Sequence, residues 1–142
     1  MCRALDVAKY IIKTCEVDNL KLQKLLYYSQ AVHLVLHNNQ ALFNDVIEAW
    51  QYGPVVPVAY KKYKKFGFDI LKDDANIRLK KEEIASIDIV IQFYGKMSAI
   101  ELVTRTHQEA PWLDVYNPKK KNVPISTQSI YDYFKDRLEF SE

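Results

Sequence analysis

The sequence predicts a mainly α protein: a single compact, irregular bundle of five to six helices with a small β-ribbon. Apolar residues recur at helical spacing through most of the chain, and alternating, proline-containing segments interrupt that spacing only near its middle. The chain has 142 residues, of which 49% are apolar, 27% are charged and only three are glycine. That length is enough for one hydrophobic core. We therefore expect one domain over residues 1–142, with a C-terminal helix at 126–140 packing on the rest.

Three helices and a strand are predicted in the first half of the chain. The apolar stripe of the first helix would consist of Leu5, Ala8, Ile12 and Cys15. Asn19 is a suitable N-cap for a longer, central helix, whose stripe would consist of Leu22, Leu25, Leu26, Ser29, His33 and Leu36. The period then changes to two, so that Ile47 and Ala49 would share one face of a strand. Gly53 breaks this strand, and Pro57 suits the first turn of a third helix.

The second half predicts extended segments followed by three further helices. Short extended pieces at 68–71 and 77–79 could pair with the first strand. The next helix would bury Ile84, Ile87, Ile91 and Tyr94. Ser98 and Glu101 have the spacing of a capping box, which predicts a helix start, and Pro111 would stop or restart that helix. Ser126 or Thr127 would cap a final helix, which buries Ile130, Phe134 and Leu138.

Charge and cysteine content favour a cytoplasmic protein. Twenty basic and eighteen acidic side chains leave a net charge of +2, so no overall field attracts nucleic acid or anionic lipid. Cys2 and Cys15 are too few for the disulfide framework of a small secreted domain. The N-terminus lacks the apolar run of a signal peptide, and no apolar stretch is long enough to span a membrane.

Candidate catalytic and metal sites are weak. His33 and His37 stand four residues apart and could share a metal ion, but the sequence nominates no third ligand. We favour a packed His33 and a solvated His37. Cys15, His107 and Glu109 supply the residue types of a cysteine-hydrolase triad, but Cys15 lies on an apolar stripe, where cysteine is usually inert. With no glycine-rich phosphate loop, we expect no cofactor, no metal and no catalytic site.

Lysine clusters support a nucleic-acid-binding alternative. Lys61, Lys62, Lys64 and Lys65 surround Tyr63, and Lys119 to Lys121 form a second cluster. Lysine is also the ordinary covering of an exposed helix, and the small net charge argues against this alternative. If it held, affinity for DNA or RNA would fall steeply as salt rises.

Three stretches are dense in aromatic and proline residues. They are Lys21 to Gln30, Glu48 to Pro57 and Thr106 to Trp112. Such rings offer rigid, amphipathic surface with little entropy to lose, which is typical of protein-interface anchors. Packing in the core, with the hydroxyl groups bonded to backbone, explains the same composition almost equally well.

These three stretches, in this order, closely resemble the Panacea domain of the SocA-like antitoxin family, which is also found in phage-associated proteins. The resemblance covers residues 5 to about 115. The residues that carry it, our candidates for family motif or protein interaction, are Lys21, Leu22, Gln23, Lys24, Leu25, Tyr27, Tyr28, Trp50, Tyr52, Gly53, Pro54, Val55, Pro57, Tyr60, Thr106, His107, Pro111 and Trp112.

The resemblance implies a non-enzymatic protein that neutralises a cognate toxin, either directly or as an adaptor that delivers the toxin to an ATP-dependent protease. The expected partners are therefore the toxin and, for an adaptor, that protease; we expect neither nucleic acid nor a membrane as a partner. We expect one set of motif residues to shape the scaffold or groove: Tyr27, Tyr28, Trp50, Tyr52, Tyr60 and Trp112. A second set would supply polar orientation: Lys21, Gln23, Lys24 and His107.

Overall fold

The computed structural model describes residues 1–138, and in them seven α-helices enclose a small antiparallel sheet. The helices are α1 (Ala4–Thr14), α2 (Asn19–Leu36), α3 (Pro57–Tyr63), α4 (Lys81–Tyr94), α5 (Ala99–His107), α6 (Ala110–Leu113) and α7 (Thr127–Phe134). The strands are β1 (Ile47–Trp50), β2 (Gly53–Val55) and β3 (Pro124–Ile125). The predicted fold class is confirmed, with single-turn α6 taking the count above the expected five to six.

Helix α2 is the centre of the fold, and α1, α3, α4, α5, α7 and β2 all pack against it. Its side chains are buried on every side from Leu22 to Leu34, whereas Leu36 is exposed at the end of the helix. The predicted single apolar stripe was therefore too narrow, because a helix surrounded by others has no solvent face. The predicted N-cap was also wrong. Asp18 caps α2 by accepting from the Lys21 amide at 2.9 Å, while the buried Asn19 donates to the Tyr60 carbonyl.

The buried face of α1 differs from the predicted one. Its fully buried apolar residues are Ala4, Val7, Ala8 and Ile11. Leu5, Ile12 and Cys15, which the sequence placed on the apolar stripe, are only partly buried. Because α1 contacts α2, α3 and α4, its buried arc is broader than one stripe and is centred elsewhere.

The sheet is built around a tight hairpin. Strand β1 pairs with β2 across the turn at 51–52, with Trp50 opposite Gly53, and pairs on its other side with β3, with Ile47 opposite Ile125. Ile47 and Ala49 share one face, as the alternation predicts, and the structure shows that this face is the buried one. The predicted pairing of 68–71 and 77–79 with β1 was wrong. A two-residue turn closes a far shorter loop, and Leu71 instead donates its amide to the Val17 carbonyl.

Local capping signals predicted the later helices well. Both hydrogen bonds of the capping box between Ser98 and Glu101 are present at the start of α5. Ser126 caps α7 by accepting from the Ser129 amide. Helix α7 packs on α2 and α6 through Ile130 and Phe134 and ends at Phe134, short of the predicted residue 140. Positions 139 and 140 of that prediction lie outside the described residues.

Candidate functional site

The three aromatic stretches meet at the backbone of Gly53. Gly53 has a φ of +111°, and a Cβ added there would lie 2.8 Å from both the Lys24 Cε and the Thr106 Oγ1. Lys24 belongs to α2, Gly53 to the hairpin and Thr106 to α5, so each stretch contributes one residue to this contact. Only glycine allows this close approach in this backbone conformation.

Polar side chains of α2 form hydrogen bonds with the backbone of the hairpin and of the residue that follows it. The fully buried Lys24 donates from its Nζ to the Pro54 carbonyl at 2.9 Å. Burial, opposed by the nearby Asp18 carboxylate, lowers the pKa of Lys24 to about 7. Gln23 accepts from the Val56 amide at 2.9 Å through its Oε1. These bonds satisfy backbone groups at the point where the hairpin enters α3.

Two adjacent tyrosines of α2 bind one buried carboxyl group. The hydroxyls of Tyr27 and Tyr28 donate to the two oxygens of Glu109, each at 3.0 Å. Burial raises the pKa of Glu109 to about 7, although the two hydroxyl bonds and Arg105 favour its charged form. The same burial raises the pKa of both tyrosines. Glu109 therefore ties the central helix to the junction of α5 and α6.

The indole of Trp112 binds the hairpin at the end of β1. Its Nε1 donates to the Trp50 carbonyl at 2.7 Å. Its ring lies between those of His107 and Tyr116, with centroid distances of 4.0 and 4.6 Å and nearly parallel planes. Burial lowers the pKa of His107, an effect opposed by a hydrogen bond with the Gln51 backbone. The third stretch thus contacts the end of β1 and the turn that follows it.

Most of the candidate motif residues are buried and serve the fold. The buried ones are Leu22, Gln23, Lys24, Leu25, Tyr27, Tyr28, Gly53, Pro54, Val55, Thr106, Pro111 and Trp112. Partly buried are Lys21, Trp50, Pro57, Tyr60 and His107. Tyr52, at the tip of the hairpin, is 59% exposed. Within these motifs, Tyr52 is the residue most available to a partner.

Two participants were missed when the candidate residues were chosen from the sequence. Glu109 was considered only as a member of a hypothetical triad, and Tyr116 was not considered at all. The signal for Glu109 was its position inside the third stretch, directly before Ala110 and Pro111, where a charged residue needs a partner. Tyr116 follows Trp112 at helical spacing, which predicts contact between the rings.

The alternative sites receive little support from the geometry. His33 stacks on His37 at 4.1 Å and bonds to Ser86 through its Nδ1, and no group of three possible metal ligands occurs among residues 1–138. Cys15 contacts the Gly95 carbonyl, whereas His107 packs on Trp112. The lysines of both basic clusters are exposed. Within the described part of the chain, no helix is both long and apolar enough to cross a bilayer.

Comparison with known proteins agrees with the assembled motifs. Residues 22–113, more than half of the chain, match the family described as "Antitoxin SocA-like, Panacea domain". The chain is also 29% identical to Antitoxin SocA of Caulobacter vibrioides (strain NA1000 / CB15N) over 143 aligned positions, which cover 89% of this chain and 74% of that protein. No solved structure matches the chain. The protein belongs to the SocA-like antitoxin family and contains its Panacea domain.

Proposed function

We propose that this protein is an antitoxin that binds and neutralises a cognate toxin, directly or by delivering it to an ATP-dependent protease. The observation that carries the proposal is the family match over residues 22–113, which include all of the three stretches that meet at Gly53 except Lys21. The proposal treats residues 1–142 as one domain that acts in the cytoplasm by binding rather than by catalysis.

The partial exposure of the hairpin supports a role in protein recognition. Tyr52 lies at its tip, and Trp50 packs edge-on against Tyr60 with ring centroids 5.0 Å apart. These three motif residues retain exposed surface while the buried ones fix their positions. Aromatic side chains held in this way lose little entropy on binding. In this proposal the buried motif residues are scaffold and the three aromatics contribute to partner contact.

The test is expression of the neighbouring open reading frame, alone and together with this chain. We expect growth arrest when the neighbour is expressed alone and recovery when both are present. The two proteins should then purify together. A neighbour that never arrests growth and never purifies with this chain would count against an antitoxin role for this pair.

The two modes of neutralisation differ in what happens to the toxin. A proteolytic adaptor shortens the half-life of the toxin in cells that contain the protease, and deletion of the protease abolishes neutralisation. Direct neutralisation leaves the half-life of the toxin unchanged while the complex persists. A pulse-chase measurement of the toxin, with and without this chain, separates the two modes.

A further inference from the structure

A groove of about 350 Å³ lies between the end of the hairpin and the loop that follows α6. Trp50 and Gln51 form one side of it, and Tyr116, Lys120 and Lys121 lie on the other. Its volume falls within the range of ordinary binding pockets, at roughly 300–1,000 Å³. It is large enough for a few side chains of an extended segment, but not for a docked helix.

The contacts behind the groove fix its shape. On one side, the Trp50 carbonyl accepts from the Trp112 indole at 2.7 Å. On the other, the Tyr116 ring stacks on Trp112 with an angle of 12° between the planes. The Ala49 amide donates to the Val123 carbonyl at 2.9 Å, which joins the two sides. A groove held in this way requires little ordering when a ligand binds.

The charge of the groove indicates which kind of ligand it can bind. Lys120 and Lys121 are exposed and form no ion pair within residues 1–138. The residues that line the groove include no acidic side chain, and the nearby Glu48 already accepts from the Trp50 indole at 2.9 Å. The lining therefore combines aromatic surface with two lysines that form no ion pair in the described residues. It complements a segment that carries carboxylates beside an apolar side chain.

We propose that this groove binds an extended acidic segment of the cognate toxin. The inference rests on the proposed function and assigns it a surface and a partner chemistry. Carboxylates of the segment pair with Lys120 and Lys121, and an apolar side chain packs between Trp50 and Tyr116. A nucleic-acid backbone fits less well. Two lysines neutralise few phosphates, and the whole chain carries a net charge of only +2.

The test compares two charge reversals of equal size in the full chain. Lys120→Glu with Lys121→Glu alters the groove, while Lys61→Glu with Lys62→Glu alters the exposed face of α3. The probe is the purified product of the neighbouring reading frame, with affinity measured by calorimetry. We expect the groove variant to bind it at least about tenfold more weakly and the α3 variant to stay within about twofold of the unaltered protein, with equal melting temperatures. The tenfold loss corresponds to about 1.4 kcal/mol.

Amide hydrogen exchange on the unaltered complex gives a second readout, which does not depend on the variants. The toxin should protect amides at 116–122 and leave those of α1 unchanged. Unchanged toxin affinity in the groove variant, or no protection at 116–122, would overturn the groove while leaving neutralisation by the unaltered protein intact. If that variant instead lost only the binding of a single-stranded oligonucleotide, the groove would be a nucleic-acid site and the inference would be wrong. Failure of the unaltered chain to neutralise the toxin would remove the proposed function itself.

Discussion

At the scale of single residues, the family motifs are explained by a few buried polar bonds. Glu109 accepts from Tyr27 and Tyr28 on the central helix, and Lys24 donates to the Pro54 carbonyl of the hairpin. Each bond joins elements that are distant in sequence. Residues of these types are therefore required by the fold, whether or not a partner touches them.

Loss of the Glu109 carboxyl should destabilise the protein strongly. In Glu109→Ala, two buried tyrosine hydroxyls lose their acceptor, and each unsatisfied group costs about 1–3 kcal/mol. We expect the free energy of unfolding in urea to fall by about 2–4 kcal/mol. Glu16→Ala, which removes an exposed glutamate, is the matched control and should change it by less than about 0.5 kcal/mol. Equal stability of the two variants would show that the carboxyl group does not tie α2 to α5 and α6.

The buried Lys24 should make stability depend on pH above neutrality. Burial lowers its pKa from 10.5 to about 7, so between these values the unfolded chain holds a proton that the folded protein has lost. Because the unfolded state then binds more protons, this group makes the free energy of unfolding rise with pH across that window, by at most about 1.4 kcal/mol per pH unit. Below pH 7 both states are protonated, and the slope from this group vanishes.

The Lys24→Met variant isolates this effect, because the other titrating groups contribute equally to both proteins. From pH 7 toward pH 10, its free energy of unfolding should rise less steeply than that of the unaltered chain. The exposed Lys61→Met is the control and should keep the original slope. Parallel curves for the unaltered protein and Lys24→Met would mean that Lys24 is charged in the folded state.

At the scale of elements, the hairpin depends on a single glycine. Gly53 combines a φ of +111° with close approach of Lys24 and Thr106, whereas Gly67 has a φ of +58° and nothing within 4 Å of an added Cβ. Gly53→Ala therefore adds a steric clash to backbone strain and should cost about 2–4 kcal/mol. Gly67→Ala adds strain alone and should cost about 1–2 kcal/mol. Thermal unfolding of both variants tests the ordering, and an equal loss would contradict the packing at Gly53.

Elements defined by local chemistry were predictable from the sequence. The capping box at Ser98 and Glu101, the Ser126 cap and Pro57 at a helix start depend only on residues within one turn, and all three are confirmed. The alternation that places the buried Ile47 and Ala49 on one face of β1 was predictable because it also depends only on neighbouring residues.

Elements defined by distant contacts were not predictable. The partner of β1 depends on the turn at 51–52 and on β3, which lies more than 70 residues further along the chain. The broad buried arc of α1 depends on three other helices. The same limit applies to the site. The resemblance identified Lys24, Tyr27 and Tyr28, but their burial follows from the packing of α4, α5, α7 and the hairpin against α2.

At the scale of the whole molecule, the residues that stabilise the fold lie inside, and the residues that we propose for recognition lie on the surface. The motifs that identify the family lie mostly inside and assemble one scaffold around Gly53. We propose that a partner contacts the hairpin tip, the partly exposed aromatics and the groove beside Lys120 and Lys121.

Direct mixing of this protein with the purified product of the neighbouring reading frame tests the central claim most directly. Size-exclusion chromatography with light scattering measures the mass of each species at micromolar concentration. The antitoxin proposal predicts one peak whose mass is the sum of whole numbers of both chains. Direct neutralisation also predicts that toxin activity is lost in that peak, whereas delivery predicts that it is lost only after the protease is added. Two separate peaks, with the toxin fully active in its own, would contradict it.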